Sequence, residues 1–187
     1  MENHALKNKM MFNAYMINHR KEWYRFFSNG LIHADFMHLA FNMFSLYMFG
    51  TGVEGAYKDL FEAKGVLFFI LLYVGGLAMS SLYSYEKHKN DIYYNALGAS
   101  GAVSAVIFAY IILAPTSKLL FLFLPVPIPA WLFGLIYLGV EYYLGKRGRD
   151  NIGHDAHFWG AVYGILLTLI LKPDLAHRFI LKVTGAE

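Results

Sequence analysis

The 187-residue sequence contains no cysteine. Disulfides, thiolate nucleophiles and cysteine-bound metals are therefore excluded. Charge is scarce too: Asp, Glu, Lys and Arg make up 16%, against about 25% in an ordinary soluble domain. The 16 basic and 13 acidic residues leave a formal +3, and the basic ones sit in loops between apolar runs. That balance is too small to argue for nucleic acid as a partner. Residues 1–30 lack the continuous apolar stretch of a signal peptide. No internal repeat is visible, so the paired halves of a transporter are not in view. No His-Glu-x-x-His occurs, which removes the usual helix-borne metal pair.

What remains is strongly apolar. Hydrophobic residues make up 57%, and mean hydropathy is +0.40. Uncharged runs cover Phe36–Val53, Gly65–Tyr85, Ile92–Ser117, Leu119–Val140 and Ala156–Leu171. A membrane helix needs about 20 apolar residues. Lipid demands helices or a closed barrel, and these runs lack barrel alternation. The sequence therefore reads as an all-α, polytopic membrane bundle of about five helices. It forms a single domain over 1–187, with a polar, interfacial segment at 1–30 and the bundle at 31–175. The third run is too long for one span, so its first residues belong to a loop. Pro125, Pro127 and Pro129 make Leu119–Pro127 an interfacial lead-in to a helix over Ala130–Leu144. The polar loops fall at 54–64, 86–91 and 145–155.

Inside these runs a few residues carry chemistry. Gly98-Ala99-Ser100-Gly101 places a serine between glycines at membrane depth. Ser100 reads as a small residue at a helix contact, or as a nucleophile if a base and oxyanion donors lie nearby. Ser80, Ser81 and Ser104 read as contacts of the first kind. His157 begins another apolar segment, and Gly160 and Gly164 share its helical face. An ionisable group in a span is a functional hypothesis, and neutral imidazole is the cheapest to bury. That glycine face can press on the Gly98/Gly101 face and bring His157 to Ser100. His154, flanked by Gly153 and Asp155, reads as loop. His38 and Asn42, four residues apart, share a face and can donate hydrogen bonds to an oxyanion. A zinc set drawn from His33, Asp35, His38, His154, Asp155 and His157 is the lesser reading.

Tyr24-Arg25, His33, His38-x-x-x-Asn42, Gly98-x-Ser100-Gly101 and Ala156-His157-x-x-Gly160-x-x-x-Gly164 together resemble the rhomboid family of intramembrane serine proteases. The likeness covers nearly the whole chain in the family's order. It implies Ser100 as nucleophile and His157 as general base and acid, with no third acidic member. It implies an oxyanion hole from His38, Asn42 and the Ser100 N–H, helped by the Ala99 N–H. Tyr24-Arg25 matches the family's Trp-Arg pair. His33 and Glu54 match structural polar positions. Gly98, Gly101, Gly160 and Gly164 match the close helix contacts.

Three departures accompany the likeness. Residues 1–22 hold no span, so the family's first helix is expected to be missing, by loss or truncation. Ser104 stands where some rhomboids carry a tyrosine that stacks on the histidine, so Phe158 or another aromatic is expected there. The loops that the family arrangement puts outside carry ten of the sixteen Lys and Arg, against the positive-inside rule. The reading is an intramembrane endopeptidase acting on transmembrane protein substrates in the bilayer, without cofactor or metal, in a bacterial cytoplasmic membrane. A client-binding pseudoprotease of the same fold is the alternative.

Overall fold

A computed structural model describes residues 4–121, 124–148 and 152–186. It begins with three short helices, α1 (His4–Met10), α2 (Ala14–Arg20) and α3 (Arg25–Ser28), followed by a 3-10 turn at Asn29–Leu31. Helices of seven residues reach only about 10 Å and cannot span a bilayer. The expected polar segment is thus helical and packed rather than loop. Phe12, Ala14, Ile17 and Phe26 make a small core there. Asn13 caps α2, its side chain accepting from the Met16 N–H, and Lys21 ends it in the left-handed region.

Six longer helices follow among the described residues. α4 (Phe36–Phe61) and α5 (Gly65–His88) run antiparallel, joined by a 3-10 turn at Glu62–Lys64. Asp35 caps α4 by accepting the His38 N–H at 2.8 Å. Among the described residues, the Phe36–His88 segment that holds α4 and α5 has the length and apolar composition that suit membrane crossing. Its outward residues, including Phe36, Phe44, Tyr47, Leu67 and Ile70, are exposed, as a lipid-facing surface requires. α6 (Ser100–Leu113) has 14 residues and is buried along most of its length. At about 21 Å it is shorter than the hydrocarbon core of a bilayer.

The segment expected as an interfacial lead-in is a hairpin. β1 (Lys118–Phe121) pairs antiparallel with β2 (Leu124–Pro129), in register Lys118↔Pro129 and Leu119↔Ile128. Pro125, Pro127 and Pro129 fall on one parity of β2. The N–H groups of Leu124, Val126 and Ile128 can therefore all face β1, which is how a proline-rich strand survives at an edge. Residues 122 and 123 of the expected lead-in, and 149–151 of the expected 145–155 loop, lie outside the described residues.

α7 (Ala130–Arg147) and α8 (His154–Leu171) complete the bundle, and α9 (Asp174–Thr184) turns away from α8 by 113°. α6 is the hub, packed on α4, α5, α7 and α8. Its closest partner is α8. A Cβ on Gly160 would overlap the Gly101 carbonyl oxygen, and one on Gly164 the Ala105 carbonyl oxygen. The two backbones touch because both positions lack side chains. At the other end of this contact Tyr57 and Thr168 share a buried 2.7 Å hydroxyl bond, joining α4 to α8.

Candidate active site

Ser100 is the first residue of α6, with Ala99 as its N-cap. The first turn of a helix has N–H groups without intrahelical partners, and the macrodipole favours negative charge beside them. The preceding loop is held firmly. Phe12 and Ala96 exchange backbone hydrogen bonds at 2.9 and 3.0 Å. The Asn13 side chain donates to the Ile92 carbonyl at 2.9 Å, and the Gly98 N–H donates to the Asn29 carbonyl at 3.0 Å. Gly98 has φ +111°, and a Cβ there would lie 2.6 Å from the His38 ring. Glycine is thus required twice over: for the backbone angle and for the imidazole laid against it.

His157 reaches this serine from the first turn of α8. Its Nε2 lies 2.7 Å from Ser100 Oγ. The hydrogen bond crosses the α6–α8 contact that Gly101, Gly160 and Gly164 make close. Its other nitrogen, Nδ1, lies 3.2 Å from Glu141 Oε1 on α7. The second carboxylate oxygen of Glu141 is 2.5 Å from His154 Nδ1. Glu141 and His154 are both buried. His154 is therefore not loop, as its Gly and Asp neighbours imply, but the first residue of α8, with its ring on the same carboxylate as His157. Asp155 turns away and pairs with Lys87 of α5 at 2.8 Å.

The remaining predicted residues fall into two groups. His38 belongs with the serine: its ring packs on Gly98, and its Nδ1 accepts the Ala34 N–H at 3.4 Å. That bond leaves the proton on Nε2, so the ring presents a donor. His33 stands edge-on to His38, ring centroids 5.0 Å apart, and its buried Nε2 has no hydrogen-bond partner among the described residues. Burial first, and then neighbouring His38, hold His33 below the usual imidazole range. Asn42 is buried on the His38 face, and its amide donates to the His38 carbonyl at 3.0 Å. Its second N–H is available to another acceptor.

The other group makes its contacts elsewhere in the fold. Arg25 is buried and donates to the Asn8 and Met11 carbonyls and to Glu22 at 2.6–2.9 Å. Tyr24 is half exposed, its ring 5.6 Å from the guanidinium. Glu54 pairs with Lys58 one turn along α4 at 2.6 Å. Ser104 does not leave a gap for Phe158, which packs instead on Tyr142 and Trp159. Ser104 Oγ and Tyr137 Oη are 2.7 Å apart, so the aromatic beside this part of α6 comes from α7.

Sequence reasoning missed Glu141 and Tyr137, one helical turn apart on α7. A signal for Glu141 existed: it is the lone acid in 118–149, and a carboxylate at the end of a span invites a function. Glu141, His154 and His157 also bring three ligand-capable atoms within 4.8 Å of one another. This trio differs from the zinc set read from the sequence, which included Asp35 and Asp155. Chemically, the arrangement offers a hydroxyl paired with imidazole, a second imidazole donor, and the main-chain N–H groups of a helix start.

Comparisons with known proteins point to one family. A family model described as "Rhomboid domain" matches residues 20–174. RHOMBOID-like protein 12, mitochondrial, from Arabidopsis thaliana is 31% identical over 137 residues, covering 69% of this chain and 40% of that protein. Rhomboid protease AarA of Providencia stuartii is 26% identical over 181 residues, 86% of this chain and 61% of that one. Putative rhomboid protease YdcA of Bacillus subtilis is 30% identical over 169 residues, 84% and 72% of the two chains. The chain thus spans less than two thirds of the first two of these relatives. With a helical bundle on the page and a family match across most of its length, this chain belongs to the rhomboid family of integral membrane proteins.

Proposed function

We propose that this chain is a serine endopeptidase that cuts a peptide bond in or near a transmembrane helix of a membrane-protein substrate. The observation that carries the reading is the 2.7 Å bond between Ser100 Oγ and His157 Nε2 across the α6–α8 contact. Ser100 Oγ attacks the scissile carbonyl carbon while His157 Nε2 takes its proton. The oxyanion so formed sits at the α6 N-terminus, where the Ser100 and Ala99 N–H groups, His38 Nε2–H and the Asn42 amide serve as donors. Such preorganised donors are worth about 3–4 kcal/mol each in a dry site. His157 then gives its proton to the leaving amine. Water attacks the acyl-serine, with His157 again as base, and releases the new carboxyl end.

A location in a bacterial cytoplasmic membrane belongs to the same proposal and is supported by bacterial relatives such as those from Providencia stuartii and Bacillus subtilis. The test is cleavage of a fluorogenic transmembrane peptide by the purified protein in detergent. The parent is expected to cleave. Ser100→Ala and His157→Ala are expected to lose all measurable turnover while eluting as folded, monodisperse protein. Turnover retained by Ser100→Ala refutes the assignment. A folded parent without turnover points to a protein that binds membrane clients without cutting them.

A further inference from the structure

The hydrogen bonds around His157 do not stop at the serine. To accept the serine proton, His157 must hold its own proton on Nδ1 and leave Nε2 bare. Nδ1 lies 3.2 Å from Glu141 Oε1, and a carboxylate only accepts, so that contact selects this tautomer. The other oxygen of Glu141 is 2.5 Å from His154 Nδ1. Both oxygens are thereby engaged by imidazole N–H groups one turn apart on α8. The carboxylate is thus held by one oxygen on each imidazole. It sits on α7, buried, one turn beyond Tyr137, whose hydroxyl is itself tied to Ser104 on α6.

We propose that Glu141 is a positioning residue for His157, held in place by His154. The result is a hydrogen-bonded series from Ser100 through His157 and Glu141 to His154. The proposal rests on the Ser100–His157 reading and departs from the two-residue arrangement that the family resemblance implies. When Ser100 gives up its proton, the imidazolium of His157 forms beside an anion already in place, so little has to reorganise. No proton passes to Glu141. It fixes the tautomer and offsets the charge. His154 needs only to keep the carboxylate from rotating.

The test compares Glu141→Gln, Glu141→Asp, Glu141→Leu and His154→Gln with the parent and with Ser100→Ala. The readouts are kcat and KM on the same peptide, the labelling rate of Ser100 by a fluorophosphonate, and the thermal midpoint. Glu141→Gln is expected to lower kcat and the labelling rate at least about tenfold, with KM unchanged within about twofold. The corresponding amide substitution in a serine-protease triad costs about 10⁴ in kcat, which sets the ceiling. Glu141→Asp keeps the charge and is expected to recover part of the loss. His154→Gln is expected to lose only a few-fold. Glu141→Leu leaves the His154 and His157 N–H groups without their acceptor and is expected to lower the midpoint as well as the rate, so the positioning role is read from Glu141→Gln and Glu141→Asp.

An active parent with an inert Ser100→Ala, but full kcat in Glu141→Gln, overturns the positioning role alone. Loss confined to the midpoint, with kcat intact in the folded fraction, overturns it too. So does a parent whose activity is abolished by a chelator and restored by zinc, because the Glu141, His154 and His157 atoms would then be ligands. A parent that neither cleaves nor labels overturns both the role and the reading beneath it.

Discussion

Arg25 shows how one buried side chain can order a whole segment. Its guanidinium answers two carbonyls of the α1 end and the carboxylate of Glu22. Those acceptors diverge, and a planar fork meets them where a lysine ammonium cannot. Arg25→Lys is therefore expected to rescue little of the loss in Arg25→Ala, about 2 kcal/mol in thermal or denaturant unfolding. The pH dependence follows. The Arg25 hydrogen bond, against the opposing effect of burial, lowers the Glu22 carboxyl below its ordinary 4.5. The folded state then binds fewer protons than the unfolded one. Its stabilising share is complete above about pH 4.5 and is lost as pH falls through the folded value. Acid unfolding curves of parent and Arg25→Ala should converge in that range; parallel curves down to the lowest pH would contradict the pairing. At this scale much was legible. Ser100, His157 and His38 were named from residue type and spacing, and the structure gathers them at one helix start. Glu141 was not, because nothing local in the sequence says which helix end lies opposite another.

The elements are arranged by what they lack as much as by what they carry. α6 and α8 approach because Gly160 and Gly164 present no Cβ to the carbonyls of Gly101 and Ala105. That approach sets the Ser100–His157 distance. Gly160→Val is expected to push the helices apart and to reduce cleavage by about 10², the loss a misplacement near 1 Å produces. Measured on folded protein, unchanged turnover in this variant would separate the glycine contact from the site. The same small-faced stripes were visible in the sequence at helical spacing, so the partnership of these helices could be expected. The hairpin Lys118–Pro129 could not be read so easily. Its three prolines looked like a helix interruption, and only their common parity, seen once β1 lies beside them, makes a strand. α9 was also missed, since its charged face hid a short apolar one that packs Leu175 inward.

Over the whole molecule, the first thirty residues and the loop before Ser100 form one structure. The Phe12–Ala96 bridge, the Asn13 bonds and the Asn29–Gly98 bond join segments about 70–85 residues apart. Asn13 works on both sides, capping α2 and holding the Ile92 carbonyl and Asn95. Asn13→Ala is expected to cost about 1 kcal/mol through the cap. It is also expected to slow fluorophosphonate labelling of Ser100, because the loop loses its tie; a variant destabilised but labelled at the parent rate would confine Asn13 to the cap. What the sequence determined by itself was the class and the pairing of Ser100 with His157. Long uncharged runs have few homes outside lipid, and glycines at helical spacing name the faces that meet. Tertiary structure alone decided which polar groups complete the site. A carboxylate on α7 and an imidazole at the start of α8 lie 13 residues apart in the chain, across a loop whose path no local preference fixes. Only the packing of α7 and α8 around the buried α6 brings Glu141 between His154 and His157. The same packing turns an apparently polar leader into the support of the Ser100 loop.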